Sequence, residues 1–87
     1  MTVTIISGGT QGLGEAIARR LTSRGDDGLV ISGRSAERGS TLADELSSLG
    51  TPAIFVESDM EDPDCPREIM AACRERFGRV DGLVNVA

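Results

Sequence analysis

The chain contains no lysine, histidine, tyrosine or tryptophan, and its aromatic residues are the two phenylalanines Phe55 and Phe77. Without histidine, and with Cys65 and Cys73 eight positions apart, neither a finger-type zinc spacing nor a disulfide framework can be drawn, and Cys73 reads as a core residue. No apolar run is long enough for a membrane span or a signal peptide, since the first one is only a short strand. A cytoplasmic chain is the expectation. Nine arginines against fourteen acidic residues leave a formal charge of -5, which disfavours nucleic acid and anionic membrane as partners. At 87 residues the chain makes one small domain at most, burying about 60 to 65 per cent of its unfolded surface and holding little stability in reserve. It has no internal repeat, linker or low-complexity segment.

What the chain does have is glycine at a telling place. The run Ile5-Ile6-Ser7-Gly8-Gly9-Thr10-Gln11-Gly12-Leu13-Gly14 is an apolar strand that empties into spaced glycines and opens a helix carrying Leu13, Ile17 and Leu21. A helix start leaves backbone N–H groups unpaired and carries about half a positive charge, and glycines let a phosphate approach the backbone without meeting a Cβ. The spacing at 8, 12 and 14 differs from the GxGxxG fingerprint. A Gly-rich turn is also often only a tight connection, so the rest of the chain has to decide.

Hydrophobic periodicity supplies the elements. Val3 to Ser7 reads as a buried parallel strand, followed by a helix from about Gly12 to Arg24 that Gly25 ends. Leu29 to Ser32 is a second strand, and Ser35 can cap a helix with Leu42, Ala43, Leu46 and Leu49 on one face, stopped by Gly50. Ala53 to Glu57 is the third strand. Asp62, Pro63, Asp64 and Pro66 are start signals for a third helix with Ile69, Met70, Cys73 and Phe77 as its buried stripe, closed by Gly78 before a fourth strand, Gly82 to Val86. The order βαβαβαβ with short connections predicts an α/β fold, a Rossmann-type parallel sheet in the order 3-2-1-4. Helices 1 and 2 should cover one face and helix 3 the other. Ligands of such sheets bind beyond the strand C-termini where the connection reverses direction, and Gly8, Gly33-Arg34, Asp59 and Asn85 all fall at that edge.

Taken together, the TGxxxGxG arrangement with Ser7 in place of Thr, Asp59-Met60, and Asp81-Gly82-Leu83-Val84-Asn85-Val86-Ala87 set against DxLVNNAG resemble the short-chain dehydrogenase/reductase family, along the whole chain. The resemblance implies a cofactor site. Gly8 would give the sharp exit from the strand, Gly12 the close approach at the helix start and Gly14 tight packing on the sheet, with the backbone N–H near Leu13 facing a phosphate oxygen. Thr10 and Gln11 are candidates to contact the adenosine phosphate and ribose, or to be solvated loop side chains. Asp59 would accept from the adenine amino group with Met60 beside it, or cap a helix, or be a solvated side chain. Asn85 and Ala87 would lie along the cofactor ribose; Val86 stands where the family has a second Asn.

NAD enzymes hold the adenosine 2′-hydroxyl with an acidic residue at the end of strand 2. That position is Gly33 here, and Arg34 follows. Losing the carboxylate removes repulsion from a 2′-phosphate, and a guanidinium offers it a bidentate contact. NADP(H) is therefore expected over NAD(H), although Gln11 stands where many NADP-using relatives carry a basic residue. The family's catalytic Tyr and Lys have no counterpart anywhere in the chain, so no catalytic residue is assigned. Residues 1–87 read as the N-terminal part of a dinucleotide-binding domain whose remainder is absent. The parent would be an oxidoreductase moving a hydride between nicotinamide and a small carbonyl or alcohol substrate, a homo-oligomer if complete, and the isolated chain would be inert. The competing expectations are a non-catalytic binding or interaction module ending at residue 87, with strand 4 paired to a partner, and a binder of another phosphorylated nucleotide.

Overall fold

β1 (Val3–Ser7), β2 (Gly28–Gly33), β3 (Ala53–Glu57) and β4 (Gly82–Asn85) alternate with α1 (Gly12–Arg24), α2 (Ala36–Ser48) and α3 (Cys65–Phe77) in a computed structural model that describes residues 2–8, 12–59 and 61–86. All neighbouring strands pair in parallel, in the order β3-β2-β1-β4. The sequence-predicted topology is the observed one. β2 is one residue longer at each end than its apolar run, because Gly28 pairs with Val3 and Gly33 with Glu57. β4 is one residue shorter than expected: Val86 leaves the strand, although its N–H still donates to the Ser7 carbonyl at 2.9 Å.

Burial follows strand position. β1 is buried throughout because it has a strand on either side and helices on both faces, whereas β4, at the end of the sheet, alternates between half-buried and exposed. Side chains alternate across the pleat. Val3, Ile5 and Val30 pack with Cys65, Ile69 and Cys73 of α3; Ile6, Leu29 and Ile31 pack with Ala18 of α1 and with Leu42 and Leu46 of α2. A slip of one residue in β1 or β2 would exchange these two sets, which fixes the register firmly.

The helices dock by small residues and defined ends. Gly14 and Ala18, four apart, are the buried residues of α1, with Ile17 and Leu21 half-buried beside them. Leu13 departs from the expected apolar stripe and is 67% exposed, since it lies in the first turn beyond the packed part of the helix. Ser35 caps α2, its side chain accepting from the Arg38 N–H at 3.2 Å. Leu49 also departs from expectation: the helix ends at Ser48, Gly50 turns the chain back at φ +109°, and Leu49 is 64% exposed. Cys73 is wholly buried, as its place on the α3 stripe predicts; its Sγ donates to the Arg79 carbonyl at 3.3 Å, and burial, seconded by the Asp81 charge, pushes the thiol pKa up.

Each phenylalanine sits on a glycine. A Cβ on Gly28 would come within 2.6 Å of the Phe77 ring, and a Cβ on Gly39 would overlap the Phe55 ring. On the outer side, Arg19 of α1 bridges Glu15 at 3.0 Å and Glu45 of α2 at 3.1 Å. This strut spans a recess of about 700 Å³ between the two helices. Its groups are well exposed, so it contributes little to stability.

The rim of the sheet at the strand N-termini is cross-linked by carboxylates. Asp81 accepts from the Val3 N–H at 2.8 Å and from Arg79 Nε at 2.9 Å, and the Asp81 N–H donates to the Val3 carbonyl at 2.8 Å. The Asp26 carboxylate, buried, pairs with Arg24 at 3.0 Å, and the Thr51 hydroxyl donates to the Asp26 carbonyl at 3.2 Å. Among the described residues no helix is long and apolar enough to cross a membrane.

Two outcomes follow from this packing. Gly39→Ala gains about 1 kcal/mol of helix propensity but overpacks the Phe55 ring by about 1–3 kcal/mol, so it should lower the urea midpoint. In a Phe55→Leu background the same change should be neutral or stabilising, and an equal loss in both backgrounds would refute the contact. Asp81 is held below its ordinary value of 3.8, first by the Arg79 guanidinium and then by the Val3 N–H. Its stabilisation is thus complete above pH 3.8 and is lost as pH falls from there through the depressed folded value. Asp81→Asn should flatten the acid side of the stability curve below that pH, and superimposable acid limbs would contradict the assignment.

Candidate functional site

Parallel strands release all their following loops at one edge, and here three backbone bonds carry the ladders past the strand ends to that edge. The Gly8 N–H donates to the Ser32 carbonyl at 2.9 Å, the Ser58 N–H to the Gly33 carbonyl at 2.8 Å, and the Val86 N–H to the Ser7 carbonyl at 2.9 Å. Residues following β1, β2, β3 and β4 are thereby set side by side. These are the four places the sequence singles out.

At the centre, Gly8 takes φ +84°, and a Cβ there would overlap the Val86 carbonyl oxygen. Only glycine satisfies both demands, a left-handed turn and contact with the chain leaving β4. Gly12 opens α1 at φ +59°, and among the described residues nothing beyond its own turn of helix lies within 4 Å of where its Cβ would stand. The first residue of the helix thus carries no side chain and crowds no described neighbour, which is the form a phosphate cradle requires. Gly14 is buried and Leu13 is exposed. Asn85 ends β4, exposed, opposite Ser7.

Toward β3, Arg34, Glu57, Ser58 and Asp59 line an open cleft of about 490 Å³. Arg34 Nη2 lies 3.7 Å from Asp59 Oδ1, with the two side chains 75% and 59% exposed. Such a pair is loose and screened, and either group can turn to a ligand at little cost. Asp59 also shapes its own turn: its Oδ1 accepts from the Glu61 N–H at 3.0 Å, and its carbonyl from the Asp62 N–H at 2.9 Å. The local role anticipated for this aspartate is thus present as a turn rather than a helix cap. Thr10, Gln11, Met60 and Ala87 lie outside the described residues.

The structure thus brings Arg34 and Asp59 to one cleft and Gly8 against the strand-4 exit, while Gly12 opens the helix at the same edge. Glu57 and Ser58 are additions that the sequence reading had not counted as site residues. The signal for Glu57 was its strand register against Gly33, which depends on how β2 and β3 align.

A parallel sheet in this order, with a glycine turn leading from its central strand into a helix, is the Rossmann-type α/β architecture. The sequence profile described as short chain dehydrogenase matches residues 2–87, and the chain belongs to that family. It is 34% identical over 83 residues to the short-chain dehydrogenase/reductase FrzI of a Cladobotryum species, covering 95% of this chain and 32% of FrzI. It is 35% identical over 79 residues to a versicolorin reductase of Emericella nidulans, covering 91% of this chain and 30% of that protein. The chain spans about a third of the length of these relatives. Among solved structures, a variant of an actinorhodin polyketide ketoreductase with NADPH superposes with a TM-score of 0.89 at 35% identity, over 99% of this chain and 33% of that one. An alcohol dehydrogenase from the archaeon Thermococcus sibiricus, complexed with 5-hydroxy-NADP, gives 0.87 at 34% identity, over 95% and 35%.

Gly8 and Gly12, both at positive φ, should respond differently to alanine. Gly12→Ala meets open space and should lose about 1–2 kcal/mol for the left-handed backbone alone. Gly8→Ala must in addition displace the hydrogen-bonded strand-4 exit, adding about 1–3 kcal/mol. Thermal unfolding of both variants checks the order; equal losses would contradict the wedge between Gly8 and Val86.

Proposed function

We propose that this chain is the N-terminal, cofactor-holding part of a dinucleotide-binding domain, in an oxidoreductase that moves a hydride between nicotinamide and a carbonyl or alcohol. The observation that carries this reading is the convergence on one sheet edge of a side-chain-free helix start at Gly12 and the Arg34–Asp59 cleft. The residues fit the group. The open N-terminus of α1 would take the pyrophosphate, with the N–H near Leu13 on an oxygen and Thr10 and Gln11 beside it. Asp59 would accept from the adenine amino group next to Met60, while Asn85 and Ala87 would lie along the ribose. The Arg34 guanidinium would bind a 2′-phosphate, which favours NADP(H) over NAD(H).

The cofactor supplies the hydride and accepts it back, with a proton balancing the change at the substrate oxygen. This chain's residues contribute binding and orientation. Tyrosine and lysine are absent from the sequence, so the acid–base group would come from outside it, and the 87 residues alone should not turn over substrate. The exposed end strand supports a longer domain: β4 closes the row of strands, Leu83 on it is 65% exposed, and an apolar cleft of about 160 Å³ lies between it and α3. The same strand edge is what favours the second reading, an interaction module that pairs β4 with a partner. Under that reading the chain would assemble through β4 and show no affinity for dinucleotides.

In the complete protein that carries this chain, NADP(H) should bind, and Arg34→Asp should shift the ratio of NADP(H) to NAD(H) affinity toward NAD(H) by about ten- to a hundredfold. Titration calorimetry with both cofactors measures this. An unchanged ratio would refute the role of Arg34, and absence of binding by the folded wild type would refute the dinucleotide reading itself.

A further inference from the structure

Gly33 leaves the end of β2 without the carboxylate that would hold an adenosine ribose, yet a carboxylate is present one strand away. Gly33 and Glu57 are register partners in the parallel β2–β3 ladder. Paired residues of neighbouring strands project to the same face, with the strands about 4.8 Å apart. That face is identified by the core. Leu29 and Ile31 on β2, and Ala53 and Phe55 on β3, all pack with α1 and α2, so the two-residue period puts Gly33 and Glu57 on the α1 side. The helix that begins at Gly12 packs on this same face. Glu57 is exposed and lines the 490 Å³ cleft with Arg34, Ser58 and Asp59, and Gly33 has no side chain with which to screen it.

Resting on the dinucleotide reading above, we propose that Glu57 is a second specificity determinant of the adenosine site, opposed to Arg34. Its carboxylate accepts from the ribose 2′-hydroxyl in place of the residue that position 33 lacks, and it repels a 2′-phosphate. The cleft then holds one guanidinium against two carboxylates, Glu57 and Asp59. Arg34 draws in the phosphorylated ribose while Glu57 limits how strongly it wins. The site accepts both cofactors, with a preference for NADP(H) smaller than a lone arginine would set.

The test uses the complete protein carrying this chain, titrated calorimetrically with adenosine diphosphoribose and with its 2′-phosphorylated form at low ionic strength. Glu57→Gln keeps the side chain's shape and removes its charge. It should tighten the phosphorylated ligand by about three- to tenfold and weaken the unphosphorylated one by a similar factor. The shift for the phosphorylated ligand should shrink as salt is added, because the groups are exposed. Adding Gly33→Asp to Glu57→Gln moves the carboxylate one strand over and should restore preference for the unphosphorylated ligand. Equal changes for both ligands, no change for either, or no recovery in the double variant would overturn the assignment of Glu57. Failure of the folded wild type to bind either ligand would instead overturn the dinucleotide reading, and this proposal with it.

Discussion

Parallel pairing of β1 with both β2 and β4 is the constraint on which the rest of the molecule depends. A strand in that position has no free edge and no solvent face, so every residue from Val3 to Ser7 is buried and only apolar or small side chains fit there. Parallel neighbours also require a crossover for each connection, and crossovers of one hand send α1 and α2 to one face and α3 to the other. The gathering of glycines, a guanidinium and carboxylates at one edge is a by-product of that geometry. Local sequence selects the residue types, and topology makes them neighbours.

The two rims of the sheet are built to opposite ends. Where strands begin, carboxylates are engaged by backbone N–H groups and by guanidinium groups close enough for hydrogen bonds, as at Asp81 and Asp26. Where strands end, the ion pair is long and exposed, and the turn at Gly8 is shaped by the chain leaving β4. Firm contacts on one rim let the other keep polar groups available to a ligand without giving up the fold, a division found in other parallel sheets.

Most of the architecture was legible in the sequence because it is written in short-range periodicity. The apolar runs of β1 and β3, the cap at Ser35 and the stop at Gly78 are decided within a few residues and appear as expected. Leu13 and Leu49 satisfied the helical spacing and are nevertheless exposed, since spacing alone does not tell where a helix outruns the sheet beneath it. The gathering of Gly8, Arg34 and Asp59 at one edge of the sheet was legible because each follows a strand end. Glu57 escaped notice among acidic neighbours because its relation to Gly33 is a matter of register, fixed by two separate strands and the helix between them. The docking of Phe55 on Gly39 was hidden for the same reason.

The bonds between Val3 and Asp81 join residues 78 positions apart. On the ribosome, β1 is therefore made long before its second neighbour is available. Its β2 side can pair once Gly28 to Ser32 have emerged, but its β4 side has no partner until Gly82 to Asn85 follow. Throughout that interval an apolar strand destined for the middle of the sheet has an open edge, the arrangement that slows folding and invites pairing with another nascent chain. Asp81, arriving just ahead of β4, brings the carboxylate and the N–H that hold Val3 at the start of β1.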